Sequence, residues 1–169
     1  MKAGLARVWA HLACDARTAR RQFPDAMLDR IEQAVSDGER LHGAELRIAI
    51  EASLPWRRVL GGLAPRERAV EAFSELRVWD TEANNGVLLY LLLADHAIEV
   101  VADRAASAAL GAATMQQVCE ILREAFRDGR HEQGLQQAIA LLNERLAEAF
   151  PLVSPQADTN ELPNRPAML

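Results

Sequence analysis

The oxygen-rich run Asp80-Thr81-Glu82-Ala83-Asn84-Asn85-Gly86 offers the clearest chemistry in this chain. Carboxylates and side-chain amides are hard ligands, and several of them brought together suit calcium or magnesium. Glu45 and Asp103, each at the end of an apolar segment, complete the set once those segments are folded side by side. The expected site is therefore a divalent cation, Ca2+ or Mg2+, held by Glu45, Asp80, Asn84, Asn85 and Asp103, with His42 and Glu82 nearby. Converging acids repel unless a cation or Arg104 offsets them. The competing reading is a solvated polar loop whose asparagines supply only turn geometry. An EF-hand is excluded, since its sixth and twelfth positions must be Gly and Glu and here are Asn85 and Leu91.

Other motifs add little. His131-Glu132 opens like a zinc-protease helix, but the fourth residue on is Leu135 rather than His, so His131 reads as a surface residue at a helix start. His11, His42 and His96 are isolated in sequence, and only His42 has candidate neighbours. Ser36, Ser53, Ser74 and Ser107 sit in no nucleophile-elbow pattern, and Gly61-Gly62 opens no phosphate loop. No catalytic residue emerges.

Those oxygens have to be positioned by regular elements. Leu46, Ile48, Ile50 and Ala52 alternate with Glu45, Arg47, Ala49 and Glu51, which predicts a strand with one face buried, ended by Pro55. Val87 to Leu93 is apolar throughout and predicts a central strand covered on both sides. Asp95-His96 makes a tight turn into a third strand through Ile98, Val100 and Val101. The spacer of about thirty residues between the first two strands suits a parallel crossover containing the helix that Pro65 opens. That pairing brings the starts of strands one and two and the end of strand three to one rim, where the candidate ligands lie.

Helical stripes surround the strands: Leu5, Val8, Trp9 and Leu12; Met27, Leu28, Ile31 and Val35; Met115, Val118, Leu122 and Phe126; and Leu135, Ile139, Leu142 and Leu146. The expected fold is α/β, a three-layer α/β/α sandwich around a small mixed sheet that joins a parallel βαβ unit to an antiparallel hairpin. Residues 1–22 form a basic amphipathic helix, 23–150 the α/β domain, and 151–169, with four prolines, a disordered tail.

The whole chain has 169 residues, half of them apolar, and a formal charge of −5. A net acidic surface argues against nonspecific nucleic-acid binding, which needs clustered positive charge. Eighteen of the nineteen bases are Arg, a bias better assigned to genome composition than to a role. No apolar run is long enough to span a membrane, and the first residues lack the pattern of a secretory signal. The expectation is a cytoplasmic protein with its two cysteines, Cys14 and Cys119, reduced. Residues 1–22 carry five bases against Asp15 alone, so that helix suits peripheral contact with the inner membrane or with a partner.

The ordered series of segments also resembles a known family. His42-Gly43-Ala44-Glu45-Leu46-Arg47 is similar to the T/H-G-x-E-I-R opening of the first strand in TPM-domain proteins. Asn84-Asn85-Gly86-Val87-Leu88-Leu89 is similar to their N-N-G-V-L/I-L junction, and Asp95 to Arg104 to the hairpin that follows it. The resemblance runs from about Phe23 to Pro151 and is greatest to the short, soluble proteobacterial branch. Thylakoid photosystem-repair proteins and a receptor-auxiliary protein belong to other branches. The resemblance implies an α/β/α sandwich, divalent-metal binding and, from the plant member, acid phosphatase activity. Two departures stand out: Asp80 replaces a frequent glycine, and Ala105-Ala106 follow Arg104 where many members carry glycine, so a loop there needing positive φ is not expected to be kept. The functional expectation is a noncatalytic accessory or binding protein with a protein partner. A weak metal-dependent acid phosphatase and a membrane-surface module are the alternatives.

Overall fold

A computed structural model describes residues 2–152 and 160–169. Its elements run α1 (Lys2–Ala13), α2 (Ala16–Gln22), α3 (Asp25–Glu39), β1 (Leu46–Glu51), α4 (Trp56–Leu60), α5 (Pro65–Glu75), β2 (Val87–Leu92), β3 (Ala97–Ala102), α6 (Arg104–Arg127), α7 (His131–Ala149) and β4 (Ala167–Met168). The sheet order is β3-β2-β1-β4. β1 pairs parallel with β2 and with β4, and β2 pairs antiparallel with β3. The register aligns Leu46 with Val87 and Val87 with Ala102, so the starts of β1 and β2 share a rim with the end of β3.

The sheet has a helical layer on each face. Leu46, Ile48 and Ile50 of β1 and Val87, Leu89 and Leu91 of β2 pack into one core with α3, α6 and α7. Full burial of a side chain of that size contributes roughly 1.5–3 kcal/mol. Ala49, Leu88, Tyr90 and Leu92 belong to a second core with Val59 of α4, Ala69 and Ala72 of α5, Val78 and Leu162. The chain is thus an α/β/α sandwich around a mixed sheet. Among the described residues no helix is long and apolar enough to cross a membrane, and both cysteines are unbridged.

Three expectations change. β1 is buried on both faces rather than one, because Arg47 and Glu51 are covered by the C-terminal segment and by α5. The stripe at the N-terminus is two helices, broken at Cys14-Asp15, where the Asp15 side chain caps α2 by accepting from the Thr18 N–H at 2.8 Å. The segment expected to be a disordered tail is ordered over 160–169. Leu162 enters the second core, Ala167–Met168 extend the sheet, and the Leu169 N–H donates to the Ile50 carbonyl. Prolines exclude a helix there but are compatible with an edge segment tied down by side chains of its neighbour. Residues 153–159 of that segment lie outside the described residues.

Candidate functional site

The loop before β2 is shaped by two backbone constraints. Asn84 has φ of 52°, a left-handed conformation that asparagine tolerates better than most residues. Gly86 runs so close to Val78 that a Cβ would lie 2.0 Å from its carbonyl oxygen, so no other residue fits without a backbone shift. Asn85 is buried between them: its N–H donates to Thr81 Oγ1 at 3.2 Å and its amide nitrogen to the Gly43 carbonyl. The loop is also held to the junction of β3 and α6, since the Asp103 N–H donates to Gly86 O and the Ala105 N–H to Asn84 O. Ala105 and Ala106 are helical residues of α6 and need no positive φ.

The expected ligands share this rim but not one task. Glu45 is 2% exposed, and its carboxylate holds the C-terminal segment: Oε1 accepts from the Glu161 N–H and Oε2 from the Leu162 N–H, both at 3.1 Å. Arg47, next on the same face, donates to the carbonyls of Pro163 and Arg165, with burial lowering its pKa. Arg165 in turn pairs with Asp25, Asp29 and Glu32 along α3. Asp103 caps α6, accepting from the Arg104 N–H at 2.6 Å. Asp80, Glu82 and Asn84 are exposed, and the Glu82 N–H donates to the Glu161 carboxylate at 3.1 Å. His42 is fully buried: Nδ1 accepts from the Ala44 N–H at 3.3 Å, leaving Nε2 to donate to Asn143 Oδ1 at 3.2 Å. It braces the entry to β1 against α7.

Among the described residues no three His, Cys, Asp or Glu side chains group as a metal cluster. One atom is nevertheless suited to a cation or a water. Asn85 Oδ1 is a buried acceptor with no hydrogen-bond partner among the described residues, a state that costs free energy unless something donates to it or binds it.

The opposite rim, where β1 and β2 end, carries polar groups that sequence reasoning did not connect. Asp95, at the turn between β2 and β3, receives Arg7 Nε at 2.9 Å and Arg7 Nη2 at 2.7 Å, and His11 Nε2 lies 3.1 Å away. His11 is buried and its Nδ1 accepts from the Leu54 N–H at 2.8 Å. Burial opposes the charge on Asp95, but the hydrogen bonds from Arg7 and His11 prevail and hold its pKa below the usual carboxylate value. The spacing of Arg7 and His11, one turn apart, was the available signal, though nothing local pointed to Asp95, 88 residues beyond Arg7.

That latch orients α1 unusually. Arg7, Val8 and His11 face the domain, while Leu5, Trp9 and Leu12 point outward at 58%, 70% and 58% exposure. Only Val8 of the expected apolar stripe turns inward. α4, on which α1 packs, exposes Trp56 and Leu60 as well, with the Arg57 guanidinium 5.3 Å from the Trp56 ring centroid. His131, expected at the surface, is instead half-buried in an aromatic trio, 4.7 Å from Phe126 and 5.6 Å from Phe23 between ring centroids.

With this geometry in hand, the chain can be set beside known proteins. The family model of the TPM domain matches residues 21–145. No curated protein matches the chain. Among solved structures, the NMR structure of the BA42 protein from the psychrophilic bacterium Bizionia argentinensis superposes with a TM-score of 0.74 at 24% identity, over 85% of this chain and 93% of that one. This likeness is one of fold.

Proposed function

The chain belongs to the TPM-domain family, and on that premise we propose that it is a noncatalytic accessory protein that works by binding. The observation that carries this reading is the outward apolar face of α1. A surface helix ordinarily turns its apolar stripe to the core, whereas here a polar latch on Asp95 holds the helix and leaves Leu5, Trp9 and Leu12 in water. A contiguous exposed apolar surface is characteristic of interaction sites. Its occupant is a protein partner whose apolar surface is rimmed by acid, complementary to the exposed Arg17, Arg20 and Arg21 of α2. A photo-crosslinker at position 9 should give a discrete adduct in cells, lost in Leu12→Ser. The absence of any discrete adduct overturns the reading.

The same observation favours a second reading, contact of this face with an anionic membrane surface, where basic residues beside Trp and Leu anchor a helix at the interface. Co-sedimentation with phosphatidylglycerol vesicles separates the two. Wild-type pelleting that Trp9→Ser/Leu12→Ser abolishes supports the membrane, and no pelleting of the wild type removes it.

A divalent cation, if it belongs to this function, would be held at the loop before β2 by Asp80, Asn84, Asn85 and Asp103, neutralising the rim and ordering the loop. The unpartnered Asn85 Oδ1 favours such an ion. Glu45 leaves the ligand set, since both of its oxygens serve the C-terminal segment. Calorimetric titration with calcium should give weak binding that Asp80→Ala and Asn85→Ser each reduce. No heat at millimolar metal disposes of the cation, and metal-dependent turnover of a generic phosphomonoester, lost in Asp80→Ala, would overturn the noncatalytic assignment.

A further inference from the structure

A cavity of about 760 Å3 opens at the rim remote from the TPM loop, between the α1–α2 junction, the β2–β3 hairpin and the second half of α6. Its size is that of a small-molecule site. The body is mostly apolar, with Ala13, Leu93 and Phe126 among its walls beside the polar Thr18, Gln22 and His131, and two cations, Arg123 and Arg127, stand on it one helical turn apart. Neither guanidinium has a hydrogen bond or an ion pair among the described residues, so both are available to an anion at the cavity mouth. An apolar chamber with two unpaired cations is complementary to a molecule with an aliphatic body and an anionic head. The wall holding Ala13 and Cys14 precedes the residues matched by the TPM model, so the N-terminal arm of this particular chain closes the chamber.

We propose that this cavity binds an amphipathic carboxylate of the fatty-acid class, its chain on Leu93 and Phe126 and its head on Arg123 and Arg127. The inference uses neither the exposed face of α1 nor the cation loop, and it stands or falls separately from the proposed function. Two cations one helical turn apart on the same wall favour an ionised head over a neutral one. Chain burial supplies most of the affinity, each methylene removed from water adding to it. Cys14 sits on the wall, half-buried, so a bound chain covers it.

The test uses the full chain with laurate and 1-dodecanol, both below their aggregation limits. Calorimetry should give a micromolar Kd for laurate and binding at least tenfold weaker for dodecanol. Arg123→Gln/Arg127→Gln should bring laurate down to the dodecanol value without changing the melting temperature, because both side chains are exposed. Saturating laurate should slow alkylation of Cys14 by N-ethylmaleimide severalfold, with buried Cys119 unreactive throughout. Ala13→Trp, at an exposed position on the wall, should abolish binding by filling the chamber. The proposal is overturned by the absence of laurate binding, by equal affinity for the two probes, or by Ala13→Trp binding laurate as well as the wild type.

Discussion

Strand β1 is flanked by two buried carboxylates on one face, Glu45 just before its first residue and Glu51 at its last. The pair differ in what satisfies them. Glu45 accepts backbone N–H groups of Glu161 and Leu162, from a segment with little regular structure. Glu51 accepts side-chain donors, the Tyr90 hydroxyl at 2.6 Å and Arg68 Nε at 2.8 Å, both in well-packed elements. A buried anion needs donors, and the chain supplies them in opposite ways. At one rim the charge helps to order a strap that Arg47 and Leu162 also anchor. At the other it is caged by side chains whose own places are already fixed.

The largest effect should come from the cage. Burial works against the charge on Arg68, but its hydrogen bonds to Glu75 and Glu51 prevail and raise its pKa. Burial and the bond to Glu51 likewise push the Tyr90 hydroxyl well above its usual range. Arg68→Met leaves Glu51 without its counter-ion and should cost about 3–5 kcal/mol in urea unfolding. Adding Glu51→Gln, which keeps an acceptor for Tyr90, should recover most of that loss. A single-variant cost below about 1 kcal/mol would mean that Glu51 is compensated elsewhere, and the contrast between the two carboxylates would weaken.

Glu45→Ala should cost less, roughly 2–3 kcal/mol for two charge-assisted hydrogen bonds, but its signature is local. The strap should come loose first, so a Glu-specific protease should cut the Glu161–Leu162 bond well before the domain unfolds. Glu161→Ala removes only an exposed carboxylate that accepts from the Glu82 N–H and should change stability by less than about 0.5 kcal/mol. If Glu45→Ala leaves cleavage after Glu161 unchanged, the strap is held by Arg47 and Leu162 rather than by the carboxylate.

This difference marks how far the sequence could be read. The three main strands and their common rim were legible because alternation and apolar runs are local signals, and the TPM motifs lie on the same segments. The fate of Glu45 was not legible. Its partners lie 116 and 117 residues away, and a carboxylate that opens a strand looks the same whether it awaits a cation or a pair of amides. The tail misled for the same reason, since proline content reports on local structure and says nothing about anchors supplied by β1. α1 misled differently. Periodicity located its apolar stripe correctly, but a half-buried Arg7–His11–Asp95 latch decided which face turned inward. The short helix α4 was missed because five residues give too little periodicity to recognise.

The smallest predicted effect concerns pH and belongs to the second rim. Burial between Phe23 and Phe126 lowers the pKa of His131, and a backbone hydrogen bond at Gly129 opposes the shift only in part. The native chain therefore resists protonation at a pH where the unfolded chain, with an imidazole of about 6.5, accepts the proton. Between the two values the unfolded state binds more protons, so stability falls as pH drops below about 6.5 and the loss is complete once the native imidazole also titrates. His131→Phe keeps the ring contacts and removes the titration. Urea midpoints measured at pH 7.5 and 5.5 should separate more for the wild type than for His131→Phe, with the other histidines common to both. An equal separation would mean that His131 takes up its proton as readily in the folded chain as in the unfolded one, and the ring contacts would then not oppose its charge.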